Sequence, residues 1–311
     1  MSAGIGLCLI ATFIWIFVIA IHPLTRRITN TYLFVIIVGI IGFGYFIGAC
    51  WIPNLIELCQ QVSAGFYDPE PLHTNAATLL SKVLLLDICP ATSFTLSLFC
   101  IVNRKRNISI IIAPISLFGA LLTIYGGLTD IDKYHAEWTA QFIFVGYPED
   151  RGYFMVHFLN IIIATLVLLN APKTTVYKYP YMFIAGAIFF CYVGICIAIS
   201  HSVNPKPTDP NDHNNLWIYQ NTAGVLLYDW DANRDGEFKG IMEALGSSPA
   251  VAMCAGYAFF IVLISIAAFL PSLLQLSKYY RVENKYCNSK NKIFGVYQLP
   301  NIKKQVKRAN K

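Results

Sequence analysis

Charge is what this chain has least of. Asp, Glu, Lys and Arg supply 13 % of its 311 residues, where a soluble domain carries about a quarter. With apolar residues at 56 %, no polar shell could cover a water-soluble globule. Strand-like alternation is missing from the apolar runs, which excludes the wall of a membrane barrel and leaves helices. Metal-type cysteine spacing is missing too. Nine scattered cysteines, an odd number, argue against a disulfide framework and read as small core hydrophobes. The opening Met1-Ser2-Ala3-Gly4 has no Lys or Arg and no cleavage site ahead of a soluble domain, so the first apolar run is expected to remain as a span. No internal repeat and no second globular domain is legible.

What is present is a series of seven apolar runs, at about Ala3–His22, Tyr32–Ile52, Ala77–Val102, Ile108–Thr129, Tyr153–Asn170, Tyr181–His201 and Pro249–Leu270. A run of about 20 apolar residues makes about 30 Å of helix, the thickness of a bilayer's hydrocarbon core. The expected fold is all-α: a polytopic transmembrane helix bundle of about seven spans over residues 1–277, followed by a basic tail, 278–311. Of the 23 basic residues, 17 fall in connections one, three and five and in the tail, while 15 of the 17 acids fall in the opposite connections. The positive-inside rule then places the N-terminus outside and the tail in the cytoplasm of a cell-membrane protein. The net charge of +6 is the sum of a basic inner and an acidic outer face and calls for no nucleic acid. Membrane lipids are the expected partners. The tail, through Lys303, Lys304, Lys307, Arg308 and Lys311, would also attract anionic headgroups, although a solvated tail is the plainer account.

The longest outer connection, 202–248, carries Asp231-Ala-Asn233-Arg-Asp235-Gly236. Acids at alternate positions followed by Gly match the first half of a calcium loop. The closing Glu is due at Met242, and Glu243 comes one residue late. Calcium on Asp231, Asn233 and Asp235 therefore competes with a plain surface turn; no other cofactor is expected.

Ionisable groups at bilayer depth are costly and ask for a reason. The third span holds Asp87 and Cys89 just before Pro90, whose missing N–H should kink the helix there. The fifth holds His157 with Asn160 three residues on, on the same face. The fourth ends in Gly119, Thr123, Gly126, Gly127 and Asp130, small residues that let helices approach closely. A thiol and an imidazole on neighbouring helices make a nucleophile and base. Against this stand a carboxyl that merely packs the bundle, an interfacial histidine and an ordinary membrane-helix cysteine.

At these residues the chain resembles the YwaF-type integral membrane proteins, a bacterial family related to membrane acyltransferases acting on ether phospholipids. Leu84-Leu85-Leu86-Asp87-Ile88-Cys89 corresponds to that family's Leu-Pro-x-His/Gln-x-Cys, with Asp87 standing where His or Gln is usual. Gly119-Ala120-Leu121-Leu122 and Gly127-Leu128-Thr129-Asp130 correspond to the fourth span and its exit. Gln141-Phe142 and His157 match a Gln-Phe pair and a fifth-span His, with a longer gap between them here. Gly240 to Pro249 is similar to the segment before the last span. The resemblance implies a Cys-His enzyme that moves an acyl group to or from a lipid. Cys89 would be the nucleophile and His157 the base, with Asp87, Asp130 and Asn160 in support. The alternative is a transporter or lipid-binding bundle in which Asp87 and His157 carry protons or bind headgroups. A receptor reading fails for want of a retinal-type lysine in the last span.

Overall fold

A computed structural model describes residues 2–63, 76–102, 107–128, 136–147, 151–171 and 179–203, with isolated positions between 258 and 266. Among the described residues eight α-helices are traced: α1 Ala3–Thr29, α2 Tyr32–Tyr45, α3 Ile52–Ser63, α4 Ala76–Val83, α5 Ile88–Val102, α6 Asn107–Leu122, α7 Tyr153–Asn170 and α8 Tyr179–Val203. No strand occurs among the described residues. Among the described residues five helical stretches are long and apolar enough to cross a membrane: Ala3–Thr29, Tyr32–Gln61, Leu79–Val102, Ile108–Gly127 and Tyr153–Asn170. The seventh run, Pro249–Leu270, falls almost wholly outside the described residues.

Helix starts follow from side-chain caps. Ser2 accepts from the Ile5 amide at 3.4 Å and Thr31 from the Phe34 amide at 3.2 Å, each satisfying a donor that the first turn leaves orphaned. The centre of the bundle is α7, with 72 % of its apolar window buried, and α6 with 61 %, against 28 % for the Tyr32–Gln61 helix. Helix α7 packs on α1, α2, α5 and α6, and the main core joins Leu7 and Cys8, Leu96 and Cys100, Leu117 and Ile124, Ile161 and Leu168. The outer faces stay apolar: Phe13 is 72 % exposed and Leu33 67 %. Such surfaces suit lipid rather than water.

Besides the π turn Thr123–Gly127 that ends the Ile108–Gly127 span, two joints interrupt the described spans. Between α2 and α3 the helix widens into a π turn, Phe46–Trp51, closed by the Ile52 amide on the Ile47 carbonyl. Pro53 follows directly; its ring would crowd the carbonyl of Ala49 in an α-helix and its nitrogen offers no donor, so the wider turn accommodates it. The second joint corrects an expectation. The third span is not kinked at Pro90 but broken at Leu84–Asp87. Helix α4 ends when the Leu86 amide reaches the Ser81 carbonyl at 2.8 Å and the Leu85 amide the Lys82 carbonyl at 3.3 Å. Leu85 itself is left-handed at φ 58°. This bond pair around a left-handed residue is the Schellman closure, here with Leu in the place glycine usually takes. Pro90 then sits in the first turn of α5, where a missing N–H costs nothing.

A break inside an apolar span leaves carbonyls that lipid cannot satisfy. Here other helices supply the donors. Trp51 Nε1 reaches the Val83 carbonyl at 3.0 Å, Tyr192 Oη the Leu85 carbonyl at 2.9 Å and Cys196 Sγ the Leu86 carbonyl at 3.3 Å.

Candidate active site

Cys89 lies in the first turn of α5, immediately after the break, and is 8 % exposed. Its sulfur faces α6 at Gly119, where a Cβ would lie in ordinary contact with Cys89 Sγ at 3.5 Å but crowd Ile88 Cγ2 at 3.1 Å. One turn above, Thr123 Oγ1 lies 3.4 Å from the sulfur and 2.9 Å from the Gly119 carbonyl. A carbonyl only accepts, so the Thr123 proton goes to Gly119 and the thiol donates to Thr123. The thiol's partner is thus a hydroxyl, not the imidazole.

His157 lies on α7 and is 7 % exposed. Its Nδ1 bonds the Tyr153 carbonyl of its own helix. Since that carbonyl cannot donate, Nδ1 carries the proton, and in the neutral ring Nε2 holds the lone pair a general base needs. The Tyr153 ring packs on the imidazole with centroids 4.9 Å apart, and its hydroxyl donates to the Thr123 carbonyl at 2.8 Å. One turn on, Asn160 Nδ2 reaches Ser93 Oγ at 2.6 Å and the Cys89 carbonyl at 3.5 Å. Thr123 and Asn160 therefore bind the Cys89 turn and the His157 turn into one polar layer between α5, α6 and α7.

The remaining sequence candidates distribute differently. Asn160 belongs to this layer. Asp87 stands at the break, half-buried, with its Oδ2 accepting from Ser81 Oγ at 3.5 Å. Asp130, Asp231, Asn233 and Asp235 lie outside the described residues. Among the described residues no group of three or more His, Cys, Asp and Glu is placed to hold a metal.

Ser93, Thr123, Tyr153, Tyr192 and Cys196 were not expected in these roles. Ser93 could have been found as the i+4 neighbour of Cys89 and Tyr153 as the i−4 neighbour of His157. Tyr192 and Cys196 left no local signal. Beside Asn160 a narrow crevice of about 10 Å³, room for about one water, lies between α2, α5 and α7. Ser93, Ser97 and Asn160 give it polar walls, and Phe46, Leu159 and Ile163 apolar ones.

A family model described as a family of unknown function, DUF5378, matches residues 8–296. The chain belongs to that family. The DUF5378 match takes in Cys89, His157, Asp130 and the Asp231 stretch alike. One relative, from Mycoplasma genitalium (strain ATCC 33530 / DSM 19775 / NCTC 10195 / G37), is 26 % identical over 268 residues, 84 % of this chain and 87 % of its own; its name reads "Uncharacterized protein MG135". A second, "Uncharacterized protein MG135 homolog" of Mycoplasma pneumoniae (strain ATCC 29342 / M129 / Subtype 1), is 27 % identical over 205 residues, 64 % of this chain and 65 % of its own. No solved structure matches the chain.

Proposed function

We propose that this DUF5378 protein is a multi-pass protein of the cell membrane and a distant relative of the YwaF-type proteins, and that it moves an acyl group to or from a lipid through Cys89 and His157. Seven spans, an outer N-terminus and a cytoplasmic tail complete the reading. A topology test is direct: a membrane-impermeant maleimide should label Cys59, exposed on α3, on intact cells, and Cys287 only after permeabilisation. The reverse pattern would invert the orientation.

One observation carries the chemistry: Cys89 and His157 share a buried polar layer, with the lone pair of His157 on Nε2. In the proposed step the Cys89 side chain turns from Thr123 toward Nε2, which takes the thiol proton. The thiolate sulfur attacks the acyl carbonyl carbon of a lipid ester; the C–O bond breaks, and the leaving oxygen takes the proton from His157. An acceptor hydroxyl, or water, then attacks the thioester, gives its proton to His157 and frees the sulfur, which recovers it. Purified protein given an acyl-thioester lipid probe should label at Cys89, and Cys89→Ala and His157→Ala should each abolish labelling. Equal labelling of all three proteins ends this reading.

The broken span favours a second reading, transport or headgroup binding through Asp87, because unwound backbone inside a span is where transporters bind. Proteoliposomes with a trapped pH dye would then show a proton flux lost in Asp87→Asn and kept in Cys89→Ala. Calcium on the Asp231, Asn233 and Asp235 loop would be a separate outer-face property.

A further inference from the structure

Ser97 of α5 is 2 % exposed, and among the described residues its hydroxyl has no hydrogen-bond partner. It lines the crevice between α2, α5 and α7 together with Ser93 and Asn160. The neighbours of Asn160 fix the orientation of its amide. Ser93 Oγ gives its proton to the Cys89 carbonyl at 2.7 Å, so toward Asn160 it can only accept, as that carbonyl must. The end of Asn160 that meets both is therefore the NH2, at 2.6 and 3.5 Å. Its Oδ1 is turned away from them and, among the described residues, has no donor. Ser97 Oγ and Asn160 Oδ1 thus face the open space of the crevice rather than protein.

Gly42 of α2 leaves that space. A Cβ there would fall 2.7 Å from Ser97 Oγ and 2.6 Å from Ile163 Cδ1, side chains of the other two walls. At about 10 Å³ the crevice has room for about one water and nothing longer. No charged side chain lines it, so an ion would sit there uncompensated. Left dry, it would bury a hydroxyl and an amide oxygen at the full cost of their desolvation. We infer that the crevice is a binding site for a single water, which donates to Asn160 Oδ1 and bonds Ser97 Oγ. The second lone pair of Ser93 Oγ completes the set, and about three partners are what a buried water ordinarily has. Held through its oxygen, the Asn160 amide keeps its NH2 on the Cys89 turn. The water therefore steadies the polar layer from the α2 side, and it stands whether or not Cys89 reacts with lipid.

Radiolytic hydroxyl-radical footprinting of the full chain in detergent tests this, because an ordered water split in place oxidises the side chains it touches. Phe46 lines the crevice at 1 % exposed, and Phe189 lies in the main core at 2 %, so bulk water reaches both equally little. Phe46 is expected to gain oxygen faster than Phe189. Ser97→Ala, which removes one partner and keeps the space, should slow Phe46 about fivefold, the factor for one net hydrogen bond, and leave Phe189 unchanged. Gly42→Ala, whose methyl enters the space, should bring Phe46 down to the rate of Phe189. Where a variant fails to fold, the wild-type comparison of the two phenylalanines still decides. Equal rates at Phe46 and Phe189 in the wild type would overturn the site. So would a fast Phe46 that folded Ser97→Ala and Gly42→Ala leave unslowed, since its oxygen would then come from elsewhere.

Discussion

His22 Nε2 meets Asn170 Oδ1 at 2.9 Å, both side chains buried, and joins the far part of α1 to the last residue of α7. The Asn170 amide nitrogen also donates to the Thr29 carbonyl at 3.2 Å. One amide thus ties α1 to α7 in two places, and its removal would leave two buried groups without it. Asn170→Ala is expected to cost about 1–3 kcal/mol of stability, read as a lower unfolding midpoint in detergent. An unchanged midpoint would show that other groups or water take over both bonds.

Close approach at glycines gives a ranking that needs no activity. A Cβ on Gly4 would fall 1.9 Å from the Leu128 carbonyl oxygen, which is backbone and cannot swing aside. On Gly42 it would fall 2.6 Å from Ile163 Cδ1 and 2.7 Å from Ser97 Oγ, side-chain ends that can rotate at a cost of about 1–3 kcal/mol. On Gly44 it would meet nothing within 4 Å, and alanine there should gain up to about 1 kcal/mol from helix propensity. Thermal midpoints should therefore fall in the order Gly44→Ala, Gly42→Ala, Gly4→Ala, the last lowest. Any inversion would count against the packing of α1 on Leu128 or of α2 on α7.

Outside the spans, Glu137 accepts the Tyr147 hydroxyl at 2.6 Å. That bond is the main reason the phenol keeps its proton above its usual 10.0. Because folding raises the pKa, the contribution is complete below about pH 10 and fades as pH climbs through the raised value. Glu137→Gln should bring this ionisation back toward the ordinary tyrosine range, seen as a difference in phenolate absorbance between mutant and wild-type titrations. Superimposable curves would remove the bond from the folded protein.

Thr123→Val deletes the hydroxyl that accepts the Cys89 thiol but keeps the carbonyl that Tyr153 bonds. If Thr123 holds the thiol away from His157, probe labelling at Cys89 should rise while the midpoint moves little. Labelling that falls with the midpoint unchanged would instead make Thr123 a partner in the chemistry.

The span Tyr153–Asn170 was legible to the residue, because its charge-poor run is bounded by Arg151-Gly152 and by Pro172. Helix α1 was expected to stop at His22 yet runs to Thr29 through Pro23. A proline removes one bond, and Thr31, capping α2 rather than α1, marks the true turn. The break at Leu84–Asp87 was not legible, since Leu84-Leu85-Leu86 is apolar throughout and the only proline nearby, Pro90, lies three residues beyond it. What makes the break tolerable arrives from Trp51, Tyr192 and Cys196, tens of residues or more away in sequence. In the candidate site the residue types could be named from the sequence. Their partners could not, because no spacing tells that a Cys89 thiol will find Thr123 before His157.

Helix lengths carry a last implication. At 27 residues α1 is roughly 40 Å long, while central α7, at 18 residues, is roughly 27 Å. Hydrocarbon is about 30 Å thick, so an upright α1 would carry Arg26 and Arg27, in its last turn, into the headgroups, and a tilted one would lean across its neighbours. An upright α1 would make a bilayer swell beside it, whereas leaning lets the same greasy length fit a bilayer of ordinary thickness.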